Sequence, residues 1–161
     1  MIASIVPRPI AWVSTMDEAG VLNLAPFSYF TGVCTDPMTV LFCPVVPARA
    51  GSQKDTLRNV QATKEFVVNF TNRSTAEVMN RSATDLPPEA SEFEWAPVTP
   101  EPSKTVKVPR VAEAPIAYEC RLQQVVTIND QPGGGYVVFG AVRHIVVREE
   151  ILTNGRIDVS K

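Results

Sequence analysis

Two short stretches hold the residues whose types and spacing suit binding chemistry. In Gly51-Ser52-Gln53-Lys54-Asp55-Thr56-Leu57-Arg58-Asn59-Val60, a loop feeds a predicted helix with Asp55 or Thr56 as N-cap. Leu57 and Val60, three apart, face the core, while Arg58 and Gln61 point outward. The helix start gathers the Ser52 and Thr56 hydroxyls, the Lys54 ammonium and free backbone N–H groups, a set that suits a phosphate. The same residues also fit an ordinary capped helix with a surface lysine. There is no Gly-x-x-x-x-Gly-Lys-Ser/Thr pattern and no helix-opening Gly-x-Gly-x-x-Gly, which disfavours a nucleoside triphosphate or a Rossmann dinucleotide. The second stretch, Asn23-Leu24-Ala25-Pro26-Phe27-Ser28-Tyr29-Phe30, is strand-like but broken by Pro26. Proline cannot donate to a ladder, so Pro26 belongs at an edge or bulge, where neighbouring backbone groups need other partners. A planar ligand edge with mixed donors and acceptors meets that need, but these eight residues alone favour a strand that simply ends at a proline.

Other chemistries find little support. His144, the one histidine, lies in the strand-like run Ala141-Val142-Arg143-His144-Ile145-Val146-Val147, which suits an exposed or dimer-contact residue better than a catalytic base. Cys34, Cys43 and Cys120 are odd in number, widely spaced and set in apolar sequence, so they read as small buried residues of a reducing compartment. No zinc ligand set can be assembled from them, and no metal site is expected. A formal net charge of −2 with scattered signs offers no basic stripe for nucleic acid. No apolar run approaches the roughly 20 residues of a membrane span, and no basic region precedes an apolar one at the N-terminus, so the expectation is a cytoplasmic protein off the membrane.

The positioning elements read as a chain of short strands. With 161 residues, 45% of them hydrophobic, one compact domain over 1–161 is expected. Residues 9–14 form a strand, 16–20 a turn with Gly20 at positive φ, and 21–25 the returning arm of a hairpin. This brings Ser14 and Thr15 toward 23–28 as candidate ligand contacts, unless they bond their own turn backbone. Arg8, between Pro7 and Pro9, is either a fixed cation near an anion or a solvent-facing arginine. Asp36-Pro37 turns the chain into a buried strand over 38–45, and 65–70 is the next strand. Ser74 and Glu77 form a capping box for a second helix resting on Ala76, Val78 and Met79. Residues 84–115 hold seven of the fourteen prolines, with Trp95 as anchor, and read as a flap over a ligand or an arm around a partner subunit, the arm being preferred. Residues 115–127 and 135–147 form a long hairpin; its triple glycine precedes a strand, not a helix, and is no phosphate loop.

These stretches, taken together, resemble the flavin reductase-like, FMN-binding split-barrel family, in particular its flavoredoxin-like branch. The resemblance rests on Pro-Arg-Pro-Ile-Ala-Trp-Val-Ser-Thr (7–15), Asn-Leu-Ala-Pro-Phe-Ser-Tyr-Phe (23–30), Lys-Asp-Thr (54–56), Glu-Phe-Val-Val-Asn (65–69), Ser-Glu-Phe-Glu (91–94) and Pro-Arg-Val-Ala-Glu-Ala-Pro-Ile-Ala-Tyr-Glu-Cys (109–120), in the family's order. It implies a mainly β protein: a six-stranded antiparallel, Greek-key-like split β-barrel with a few short helices. It also implies a homodimer with one FMN per subunit near the subunit interface. The family commonly extends beyond both ends of this chain. Under this resemblance Ser14, Thr15, Ser52, Lys54 and Thr56 receive the phosphate. The backbone of Asn23, Ala25, Pro26, Phe27 and Ser28 meets the isoalloxazine edge, with Ser28 tuning its potential. Asp55 caps the helix or pairs with Lys54, offering only its N–H to the ligand. No catalytic side chain is required, because the flavin carries the redox chemistry. The implied activity is that of an NAD(P)H:flavin oxidoreductase with NADH or NADPH as electron donor. The alternatives are a flavoredoxin-like electron carrier serving a redox protein partner without direct reaction with NAD(P)H, and a flavin-storage protein or a barrel without cofactor.

Overall fold

The computed structural model describes residues 2–47, 53–87 and 89–160. Its centre is a seven-stranded sheet, antiparallel throughout, in the order β2-β1-β5-β8-β9-β4-β3. The strands are β1 (Ala11–Met16), β2 (Leu22–Phe27), β3 (Phe30–Thr35), β4 (Met38–Phe42), β5 (Glu65–Asn69), β8 (Ile116–Asn129) and β9 (Gly135–Val147). β2 and β3 lie at opposite edges of the sheet yet are separated in sequence only by Ser28 and Tyr29. The chain therefore steps from one edge to the other within two residues, and the sheet curls into a split barrel. Counted as one strand kinked at Ser28-Tyr29, β2 and β3 make the six strands expected; counted separately they make seven. The architecture is mainly β and antiparallel, with a few short helices.

The barrel follows from period-two alternation along strands rich in β-branched and aromatic residues. Ala11 and Val13 point inward with Phe27, Phe30, Val40, Phe42, Phe66, Val68, Cys120 and Val138. Phe42 packs against Phe27 and Phe66 at ring-centroid separations of 5.0 and 5.4 Å, tilted rather than stacked. The Phe66 ring lies so close to Gly140 of β9 that an added Cβ would sit 2.2 Å from it. At the β1–β2 turn, Gly20 takes φ +92° and Asp17 Oδ1 accepts from the N–H groups of Ala19 and Val21, as the turn residues predict.

Helix α1 (Asp55–Thr63) lies between β4 and β5 and sends Leu57 and Val60 into the barrel core, as their spacing predicts. Its N-cap differs from expectation. Lys54 occupies the cap position with extended backbone, and no side chain bonds the helix start, so neither Asp55 nor Thr56 caps it. Helix α2 (Ala76–Arg81) likewise lacks the capping box: Asn72 Oδ1, accepting from the backbone of Ser74 and Thr75, organises the preceding turn, and Ala76 is exposed.

Residues 84–115 wrap their own barrel. They contain α3 (Glu92–Trp95) and a two-stranded ribbon of β6 (Pro100–Glu101) and β7 (Arg110–Val111). Phe93, Val98, Val111 and Ala114 bury Trp12 and Leu24 on the outer face of the sheet; Val106 and Val108 do the same for Val67 and Ala117. Every residue of β5 is consequently buried. The aromatic anchor is Phe93, 5% exposed, whereas Trp95 is 50% exposed, because only Phe93 faces the sheet across one turn of α3. A short ribbon of β10 (Leu152–Thr153) and β11 (Arg156–Ile157) follows β9. Of the cysteines only Cys120 is buried; Cys43 is half-buried and Cys34 is exposed on edge strand β3, contrary to the expectation for all three.

Candidate functional site

Strand β2 is an edge strand, so its residues alternately pair with β1 and face away from the sheet. Asp17 N–H donates to Val21 O, and Leu24 N–H leaves the sheet to reach Glu92 Oε2 at 3.0 Å. Both bonds set the same parity: Asn23, Ala25 and Phe27 turn their backbone groups to β1, while Leu24 and Pro26 face outward. The missing donor of Pro26 thus falls on the open edge, where it costs no ladder bond. The backbone groups of Asn23, Ala25 and Phe27 are engaged with β1, which corrects their assignment to a ligand edge and leaves the Pro26 carbonyl there.

This open edge forms one wall of a cleft lined by Asn23, Ala25, Pro26 and Phe27, by Lys54, Asp55 and Thr56, by residues 82–86 and by Glu92. The opposite wall is the start of α1. Lys54 O accepts from Leu57 N–H and Arg58 N–H at 3.0 and 3.1 Å. The Asp55 and Thr56 N–H groups, with no side-chain cap, are left as donors at the positive end of the helix dipole.

Beneath the cleft lies a buried polar network. Asn23 Nδ2 donates to Thr15 Oγ1 at 3.1 Å and to Thr56 Oγ1 at 2.9 Å, and Asn59 Nδ2 donates to Thr15 Oγ1 at 3.2 Å. Thr15 and Thr56 are essentially inaccessible, so their hydroxyls hold α1 against the hairpin. Asn59 Oδ1 is buried without a protein partner beside a small void that also meets Asp17, Asp55 and Arg58; a single water would satisfy it.

The charges pair differently from expectation. Lys54 Nζ meets Asp85 Oδ1 at 2.5 Å, and Asp55 pairs instead with Arg58, one turn along α1, at 2.6 Å. Glu92, 6% exposed, was not among the residues singled out from sequence. Burial pushes its carboxyl above the ordinary range, and Asp55 adds to this, against the Leu24 N–H and Lys54. The residues 82–86 were also missed; no local motif marks them, since only the packing of α2 and α3 brings them to β2.

Of the predicted site residues, Asn23, Ala25, Pro26, Phe27, Lys54, Asp55 and Thr56 line this one cleft. Thr15 lies one layer below it. Ser14 does not join them: its hydroxyl donates to Pro109 O at 2.7 Å on the outer face, because neighbouring residues of a strand point to opposite sides. Ser28 sits half-buried in the β2–β3 kink and is not among the lining residues. Ser52 lies outside the described residues. Arg8 is drawn to Tyr29, its guanidinium 5.8 Å from the ring centroid, and donates to Ile5 O. Among the described residues no group of three or more His, Cys, Asp or Glu could hold a metal ion. No helix among them is long and apolar enough to cross a membrane.

Fold and cleft define a split β-barrel protein with a cleft along its open edge, between β2 and α1. The flavin reductase like domain matches residues 3–158, and the chain belongs to that family. A protein of Aquifex aeolicus, itself uncharacterized, is 45% identical over 148 residues, covering 92% of this chain and 73% of the relative. Nitrilotriacetate monooxygenase component B from Bacillus cereus is 37% identical with a TM-score of 0.89, over 98% of this chain and 78% of that one. The 2-nitrobenzoate 2-nitroreductase NbaA of Pseudomonas fluorescens is 33% identical with a TM-score of 0.85, over 97% and 74%.

Proposed function

We propose that the chain binds FMN in the cleft between β2 and α1 and acts as an NAD(P)H:flavin oxidoreductase. The observation that carries the reading is the uncapped start of α1. Two backbone donors, a helix dipole and the Lys54 ammonium line the same cleft as a strand edge interrupted by proline. Lys54 and the N–H groups of Asp55 and Thr56 hold the phosphate, and the Pro26 carbonyl meets the polar rim of the flavin ring. Bound FMN supplies hydride and electron transfer, so the protein's work is to bind, orient and exclude water. Thr15, Asn23 and Asn59 keep α1 in register with β2, so that the two halves of the ligand meet a preformed site. A carboxylate such as Asp55 repels a phosphate, and its pairing with Arg58 draws that charge away. The homodimer and a location in the cytoplasm belong to the same reading. So does the choice of NADH or NADPH, for which an open cleft rather than a dinucleotide fold is required.

The test is an anaerobic titration of the FMN-reconstituted protein with NADH and then NADPH, following the flavin's visible absorbance. Rapid bleaching supports the reductase and names the donor. A tightly held flavin that bleaches only with dithionite would instead make it an electron carrier, and failure to bind FMN would remove the site.

A further inference from the structure

We propose that Asp85 competes with the ligand's phosphate for Lys54 and so sets how strongly the cleft distinguishes a phosphorylated flavin from an unphosphorylated one. The inference rests on the flavin reading of the cleft. Among the described residues four charged side chains line it: the cation Lys54 and the carboxylates Asp55, Asp85 and Glu92. Lys54 is already held, with Nζ 2.5 Å from Asp85 Oδ1. An incoming phosphate must therefore share the ammonium with that carboxylate or displace it.

Only one of the three carboxylates is placed to move. Asp55 is pinned by Arg58, and Glu92 is buried and bound to the Leu24 N–H. Asp85 has a side chain 81% exposed and approaches Lys54 from the solvent side. The turn that carries it is tied to α2 as far as Thr84, through Ser82 N–H to Met79 O, Ala83 N–H to Asn80 O, and Thr84 N–H and Oγ1 to Arg81 O. Asp85 is the first residue beyond these bonds, so its carboxylate can swing away without unravelling the helix. An ion pair this exposed is weak, enough to tune affinity and too little to block binding.

The experiment measures FMN and riboflavin affinities at low salt for the full chain and for Asp85→Asn, Lys54→Ala and the double variant. Asp85→Asn is expected to bind FMN about two- to fivefold tighter, with riboflavin unchanged and the gain absent in the Lys54→Ala background. Equal or weaker FMN binding by Asp85→Asn overturns the proposal. So does an equal gain for riboflavin, which means a cleft merely widened, or a gain that survives loss of Lys54, which means simple repulsion. If no variant binds either flavin, the flavin reading itself fails. Titration with inorganic phosphate then decides between the variants by the same criterion: tighter phosphate binding by Asp85→Asn supports the competition, and unchanged binding sinks it.

Discussion

Two buried carboxylates covered by different parts of this chain have their pKa values moved in opposite directions. Glu119 of β8 is fully buried and receives the Lys104 and Thr105 N–H groups at 2.9 and 2.6 Å and the Thr105 hydroxyl at 2.6 Å. Burial would raise its pKa, but these three donors, with His144 across the hairpin, outweigh it and leave the carboxyl below the ordinary range. Glu92 in the cleft has one backbone donor from outside its own helix, the Leu24 N–H, and burial wins. The strap over 103–111 is held by fully satisfied acceptors: Glu119, Glu65 bound to the Lys107 N–H and Arg121, and Asn69 bound to the Val111 N–H. The cleft, by contrast, keeps the uncapped N–H groups of α1 and carboxylates that each meet one other residue, a pattern suited to binding rather than to stability.

The largest expected effect tests the strap. Glu119→Gln keeps one acceptor oxygen but sets an amide N–H₂ against the donors that met the other, Lys104 N–H or the Thr105 N–H and hydroxyl, and should cost about 3 kcal/mol, or about 6–12 °C in melting temperature. A loss below about 1 kcal/mol would show the strap to be held by its apolar contacts alone. The sign of the pH dependence follows from the lowered pKa. The Glu119 contribution is present above the ordinary glutamate range near about 4.3 and is lost as pH falls through its depressed folded value. Acid unfolding of Glu119→Gln should accordingly be less steep than that of the wild type.

Ser14→Ala comes next, with an expected loss of about 1 kcal/mol, since the Pro109 carbonyl and Asn69 each lose a partner. FMN affinity should not move, and a clear drop would return Ser14 to the ligand. In the cleft, Glu92→Gln keeps an acceptor for the Leu24 N–H while removing a buried charge. Its stability at neutral pH should be equal or greater, and chemical denaturation would expose the comparison as false if it fell as far as Glu119→Gln. Because the Glu92 pKa is raised, its burial is least costly at acid pH and most costly above its folded pKa, the opposite slope to Glu119. Smallest in stability is Lys54→Ala, within about 0.5 kcal/mol. Its FMN dissociation constant should nevertheless rise about tenfold or more, as for loss of a charged hydrogen bond.

Local signals in the chain made much of this legible. Pro26 announced an edge because a residue without an N–H has nowhere else to go in a sheet. Leu57 and Val60 announced the buried side of α1 through their spacing. The alternation Ala11, Val13, Thr15 against Trp12 and Ser14 also carried a signal that was not used: Ser14 and Thr15, adjacent on one strand, cannot both face the same cleft. The helix caps misled because Asp55 found Arg58 and Ser74 found Asn72, each a side-chain partner that competes with the cap.

The sequence by itself determined the strand alternation, the proline edge, the helix that fills the barrel end and the family to which the chain belongs, because each depends on neighbours a few residues apart or on a contiguous pattern. Only the tertiary structure decided that 84–115 straps its own barrel, that Lys54 meets Asp85 and not Asp55, and that Glu92 reaches the edge of β2. Those pairings join residues 31 and 68 positions apart. Burial and partner count, which set whether a carboxylate is held or left available, exist only once the chain has closed on itself.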